Sequence, residues 1–485
     1  MTATSDLSTR SNSQADTRKA FSGTMMTPLL IGVALNPINS TMIATALVSI
    51  GTAFGVGVSS TAWLVAILYL ASAVGQPTMG KLADLIGPRR IFLTGLLVVV
   101  AAGLVGALAP AFGWLIASRV LLGIGTSAAY PSAMAMLRAE TRRTGVEAPR
   151  TVLGRLSLAS LSSAAVGPVL GGALAATLGW RAVFAVNIPL ALVALLLALR
   201  WVPGDARGTA QQQADGQRAD GQPAHGQSAD RARTLTLIDL PGITLFAATI
   251  ATLMLFLMNL SRPQWLLLGL ALVLAAVLVR RQLRAPHPFL DLRLLGRNPG
   301  LTRTFLRSGL TYLVLYCMLY GYSQWLQDGH GFNAFHAGLI ALPMSATAAV
   351  FSLLGARTRT LRAPLVALTL LLTAGSALLL TVDHRSSVLL LVLVSALFGV
   401  GQGLASSCNQ AALYAQAPTD GVGAAAGLQR TSIYLGAILS SSVIALLYGT
   451  RATDGGLHGV AAVMGVLCVA LIALTTADRA LRRRR

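Results

Sequence analysis

Residues 80–90 read Gly80-Lys81-Leu82-Ala83-Asp84-Leu85-Ile86-Gly87-Pro88-Arg89-Arg90, a short charged stretch set between apolar runs at 61–79 and 91–109. Each run is about the ~20 residues that a helix needs to cross roughly 30 Å of hydrocarbon. The stretch therefore reads as a tight turn joining two membrane-spanning helices. Gly80 and Gly87 supply backbone freedom, Arg89 and Arg90 hold the turn at one membrane face, and Asp84 is a lone acid at a helix end, placed to pair with a cation or a helix amino terminus.

The same alternation extends in both directions. Apolar stretches between breaker and charge clusters fall near 25–50, 61–79, 91–109, 113–137, 153–178 and 182–201, then 239–260 and 265–281, then 305–326, 336–355, 362–382, 387–414, 422–448 and 457–477, fourteen candidate spans. With 54% hydrophobic and 11% charged residues, against about 25% charge in soluble domains, a water-soluble fold is excluded. The chain is an all-α polytopic membrane protein. The three cysteines, Cys317, Cys408 and Cys468, sit singly in apolar runs and read as small core residues.

The formal charge of +21 would suggest nucleic acid in a soluble protein. Placed on the span map, 32 of the 37 Lys and Arg fall in the termini and every second loop, and only Arg181, Arg262, Arg385 and Arg451 in the others. That asymmetry predicts both termini in the cytoplasm, and the basic excess marks topology rather than nucleic-acid binding. The first twenty or so residues are polar and lack a leader-like apolar run, so the amino end is expected to stay cytoplasmic, in a multi-pass protein of the cytoplasmic (inner) membrane.

Residues 203–235 contain the repeat QADGQ-RADGQ-PAHGQ and no apolar face to bury, which predicts a disordered cytoplasmic linker. The expected organisation is a tail at 1–22, a six-helix bundle at 23–202, the linker at 203–235, two additional helices at 236–284, a second six-helix bundle at 285–478 and a basic tail at 479–485. A weak internal repeat supports two related halves. Gly123-Ile-Gly125 precedes Arg155, and Gly399-Val-Gly401 precedes Arg430, with first-glycine-to-arginine separations of 32 and 31 residues.

The 80–90 stretch resembles the signature loop of the major facilitator superfamily, although Leu85 and Pro88 stand where the family often has basic residues. Arg119-Val-Leu-Leu-Gly123-Ile-Gly125 in the fourth span resembles its second motif. Gly167-Pro168-Val-Leu-Gly171-Gly172 in the fifth resembles the antiporter motif of its exporters, where proline removes a backbone donor and kinks the helix and Gly167 and Gly171 admit a close helix neighbour. Gly179-Trp180-Arg181 with Phe184, Asn187 and Pro189, and Gly338 with Pro343, are similar to the fourteen-span drug:proton antiporter branch. The resemblance implies a major facilitator fold of two six-helix bundles plus two linking helices. It also implies a conformational latch or coupling group at Asp84, Arg89, Arg90 and Arg119, with packing and kink positions at Gly80, Gly87, Gly167, Pro168, Gly171 and Gly172.

One feature of that branch is missing. Its first span typically carries Asp where this chain has Asn39, and Pro where it has Val48. All 16 acids fall in termini, loops or helix ends, and all six histidines in loops or at span edges, so no mid-membrane proton carrier of the ordinary kind is expected. Coupling through Asp84, uncoupled transport, and an anionic or neutral substrate attracted by Arg119 or Arg430 all remain open at this point. Candidate cavity residues are Asn36, Asn39 and Ser40 in the first span, Tyr312, Tyr316 and Tyr320 at four-residue spacing in the ninth, Gln402, Asn409 and Gln410 in the twelfth, and Arg430. The spans offer no paired acids or nucleophile with its base, and no GxxxxGK[ST] loop occurs. The expectation is therefore a non-enzymatic secondary transporter that exports small amphipathic or drug-like compounds by alternating access, with uptake or uncoupled carriage of a metabolite or anionic solute as the alternative and a non-transporting membrane sensor as a more distant one. It needs no cofactor or metal, is functional as a monomer, and has the lipid bilayer and a small-molecule substrate as partners.

Overall fold

A computed structural model of the 485-residue chain describes residues 23–144, 150–204, 239–259, 263–286, 298–358, 360–417 and 422–478, with isolated positions between 287 and 297. The expected tails and almost all of the expected 203–235 linker lie outside the described residues.

All fourteen expected spans are helical. The first is built of Gly23–Met42, a 3-10 turn Ile43–Thr45 and Leu47–Phe54. The second is Val58–Ile86 and the third Pro88–Ala107. The fourth stacks Phe112–Ser127 on Ala129–Thr144, and the fifth is Arg150–Thr177. The sixth joins Arg181–Ala185 to Asn187–Trp201. Leu240–Met258 and Trp265–Arg284 form the seventh and eighth. The ninth joins Pro299–Tyr316, a π-helical segment Cys317–Tyr322 and Ser323–Asp328. Ala334–Ala356, Arg362–Leu379, Val388–Gln416, Val422–Tyr448 and Asp454–Ala477 complete the set. Among the described residues thirteen helices are long and apolar enough to cross a membrane. The ninth span is the exception, because its first helix carries Arg303 and Arg307 and a π segment interrupts it.

The turn between the second and third spans is tighter than the sequence suggested. Gly80, Lys81 and Asp84 lie on the second helix, which runs on to Ile86, and the reversal is made at Gly87 alone. Gly87 takes φ +116°, a value that L side chains avoid, and Pro88 starts the next helix at its first turn, where a missing N–H is harmless. Gly80 is not a close-approach position: a Cβ there would meet only Pro131, at an ordinary 3.6 Å.

The seventh span packs against the second and thirteenth, across the seam between the two halves, and the eighth lies outside it. Leu266 on the eighth is 85% exposed, as a lipid-facing side chain should be. Asp239 caps the seventh span by accepting from the Gly242 N–H at 3.1 Å, and it holds the eighth through Arg281 (2.8 Å) and Gln282 (3.0 Å). Lys81 of the second span lies within electrostatic range of the same carboxylate, so the added pair is tied to the bundle by charge as well as by packing.

Candidate functional site

The two halves meet along an aromatic column. Tyr312, Tyr316 and Tyr320 do share one face of the ninth span, with successive ring centroids 5.9 and 5.8 Å apart. Tyr69 from the second span packs on Tyr316 at 5.1 Å and on Tyr434 of the thirteenth at 5.6 Å. Hydroxyls close the upper part: Tyr69 and Tyr320 share a hydrogen bond of 2.9 Å, and Tyr320 donates to the Ser40 carbonyl at 2.7 Å. Gln76 donates to the Tyr434 hydroxyl at 2.5 Å. Tyr312 and Tyr316 are half-buried and line the cleft, whereas Tyr320 is buried, so it acts as seal rather than open wall. Sequence reading missed Tyr69, Gln76 and Tyr434; only Tyr434 carried a signal, four residues from Arg430 on the same helix face.

The contacts between the halves concentrate at the end of the bundle opposite the arginine-rich loops. There Ser59 N–H donates to Gly449 O at 2.9 Å and Ser323 Oγ to Ala44 O at 3.2 Å. Gly449, at φ +58°, shapes the turn that presents its carbonyl. The fifth and tenth spans touch backbone to backbone. A Cβ at Gly172 would overlap the Ala334 carbonyl, and one at Gly338 would meet the Pro168 carbonyl at 2.6 Å. On its other side the fifth span seats Gly167 against Thr41 and Gly171 against the Met42 carbonyl. The helix continues through Pro168. At the basic end the picture is different: Arg430, from one half, and Tyr130, from the other, are both exposed, Tyr130 by 38%, while lying within electrostatic range of each other. The halves are clamped at one end and parted at the other.

Arg119 does not snorkel. It is 1% exposed, with Nε donating to Leu64 O at 2.9 Å and Nη1 to Asn39 O at 3.4 Å. Its Nη2 has no hydrogen-bond partner among the described residues. The Asn39 side chain, which stands where the resembled branch has Asp, turns away and donates to Asn187 Oδ1 at 2.5 Å and to Leu35 O at 2.8 Å. Asn36 donates to Thr126 Oγ1 at 2.9 Å, and Ser40 donates to Asn36 O at 2.8 Å. Asn39 and Ser40 are buried, and the Asn39 amide joins helices within one half instead of facing an open cavity, which corrects the expectation for those two residues; Asn36 is half-buried.

The second half holds an ion pair that the sequence did not reveal. Arg307, counted with the loop arginines, is buried in the ninth span, 3.4 Å from the buried Asp478, and Arg303 reaches the same carboxylate at 3.7 Å. Arg307 Nε also donates to Asn409 Oδ1 at 2.9 Å. Asn409 is thus a structural partner of Arg307 and does not line the cleft, while Gln402 is half-buried. No group of three or more His, Cys, Asp or Glu suited to a metal occurs among the described residues.

The sequence matches the Major Facilitator Superfamily over residues 29–441, and again over 304–484. The chain belongs to the major facilitator superfamily. It is 34% identical over 433 residues to YwoD of Bacillus subtilis, an uncharacterized transporter of that superfamily, covering 88% of this chain and 90% of the relative. It is 27% identical over 423 residues to the multidrug resistance protein Stp of Mycobacterium tuberculosis, covering 85% and 73%. Its fold is similar to the crystal structure of a bacterial homologue of the human lysosomal transporter Spinster in an inward-facing and unoccupied conformation, with TM-score 0.64 and 15% identity over 94% of this chain and 97% of that one.

For a major facilitator, the residues expected to latch the halves are placed unevenly. The Asp84 side chain lies outside the described residues. Arg90 is exposed, and Arg89 donates to the Leu199 carbonyl of the sixth span at 3.1 Å, within its own half. The glycines give a direct test of the opposite clamp. Gly172→Val and Gly338→Val should each disturb it by about 1–3 kcal/mol through overpacking, and reduce transport at matched membrane abundance. Gly113→Ala, with nothing within 4 Å of the added Cβ, should leave transport unchanged.

Proposed function

We propose that this superfamily member is a secondary transporter that exports small amphipathic compounds across the cytoplasmic membrane by alternating access. The observation that carries the reading is the asymmetry between the halves, joined through Gly449, Ala44, Ala334 and Pro168 at one end and parted around Arg430 and Tyr130 at the other. With the basic end in the cytoplasm, as the arginine distribution favours, this is the inward-open member of an alternating pair. The similarity to the multidrug resistance protein Stp supports export of toxic compounds. The unit of function is a monomer in the bilayer, needing no cofactor or metal.

Overexpression should lower cellular accumulation of a fluorescent amphipathic compound, and Asp84→Asn should slow that efflux if the latch at Asp84, Arg89 and Arg90 drives the cycle. Equal accumulation with and without the protein, across cationic, neutral and anionic compounds, would overturn export. A second reading, an uncoupled carrier of an anionic solute, is favoured by one specific observation: Asn39, not a carboxylate, stands beside Arg119.

A further inference from the structure

We infer that the substrate is an organic anion with a flat apolar body, its acid group held by Arg430 and its body laid on the tyrosine column. The inference rests on the transport reading above and names its substrate class.

Arg430 lies in the thirteenth span between residues of both halves, within electrostatic range of Tyr434, Tyr130, Tyr312 and Tyr316, yet its side chain is exposed. Flanked in this way it faces the cleft between the halves rather than lipid. It makes no hydrogen bond or ion pair among the described residues. Nor is it stacked as a structural cation–π pair; among the described residues that geometry is found at Arg181 over Trp180, at 4.3 Å. A guanidinium left open in a cleft is matched to a planar carboxylate, which it binds with two parallel hydrogen bonds. The rings of Tyr312 and Tyr316, half-buried and 5.9 Å apart, lie within its electrostatic range, and aromatic walls suit flat apolar bodies.

A second, independent observation lies at the far end of the column. Arg119, with its buried unpartnered Nη2, is within electrostatic range of Tyr320 and Tyr69. The column therefore runs from one uncompensated cation to another. A cationic solute would meet repulsion at both ends with no carboxylate bonded to either arginine among the described residues, whereas an anion gains at each. The missing mid-membrane acid fits the same substrate. An anion leaving a cell whose interior is negative moves with the membrane potential, about fiftyfold in equilibrium ratio per 100 mV, and needs no proton carrier.

The test uses the full chain, purified in detergent and reconstituted, with three matched probes: naphthalene-2-carboxylate, 2-naphthamide and 2-naphthylmethylammonium. By calorimetry the carboxylate should bind about tenfold or more tighter than the other two, the range expected for a charge-assisted bidentate contact. Arg430→Gln should abolish that preference with the unfolding midpoint unchanged, and Arg430→Lys should retain part of it. In vesicles, efflux of the carboxylate should rise with an inside-negative potassium diffusion potential and be unaffected by a pH gradient alone. Equal or tighter binding of the ammonium probe, no detectable binding of the carboxylate, or an unchanged preference in both Arg430 variants overturns the inference. Arg430-dependent binding without flux would leave the site standing and defeat the transport reading. Flux of the amide or ammonium without anion preference would do the reverse.

Discussion

Asp478→Ala is expected to destabilise the protein by about 3–5 kcal/mol, the cost of leaving a buried charge without its partner. Arg307 and Asp478 are both fully buried and 3.4 Å apart, joining the ninth span to the end of the fourteenth, and Arg303 shares the carboxylate. With Asp478 gone, the Arg307 guanidinium keeps only neutral partners, Asn409 and Thr304. Denaturant unfolding in detergent, followed by tryptophan fluorescence, should show the shift. The double substitution Arg307→Met with Asp478→Leu should recover most of it, because replacing both charges by apolar groups of similar size removes the desolvation cost along with the attraction. If the single and double variants are equally unstable, the pair is not what holds these spans together.

Arg119→Leu is expected to do the opposite to stability and far more to transport. Arg119 is as buried as Arg307 but has no carboxylate partner among the described residues: it donates to two helix carbonyls, and its Nη2 is unpartnered there. Those carbonyls belong to helices, so removing the arginine deprives them only of an additional donor, while the cost of an unsatisfied buried polar atom, about 1–3 kcal/mol, disappears. The variant should unfold at equal or higher denaturant while its transport falls to background, the signature of a charge kept for function at the expense of stability. A parallel fall in stability and transport would mark Arg119 as a packing residue. Two buried arginines in equivalent surroundings by hydropathy thus have opposite predicted signs, and only their partners distinguish them.

Much of the architecture was legible in the chain. The fourteen apolar runs, the alternation of arginine-rich loops, and the small-residue face of the fifth span each appear where the residue pattern placed them. The polar site was far less legible. The amide of Asn39 looked like a cavity group and instead bonds, buried, between helices of one half, while Tyr69 and Gln76, unremarked in their apolar span, meet the second half. Arg307 looked like one more loop arginine, since nothing in its neighbourhood along the chain points to Asp478, 171 residues away.

The division has a physical cause. In hydrocarbon every helix must satisfy its own backbone hydrogen bonds, so whether a segment spans, and which end stays with the charged face, is settled by some twenty consecutive residues. Sequence alone therefore determined the spans, the halves and the expected sidedness. Which side chain of one helix meets which side chain of another depends on the rotation and tilt that packing gives each, and in lipid that packing is governed by shape and a few polar contacts. The tertiary structure alone decided that Asn39 turns from Arg119 to Asn187, that Arg307 has an acid and Arg119 has none, and that Arg430 is left open beside the tyrosines.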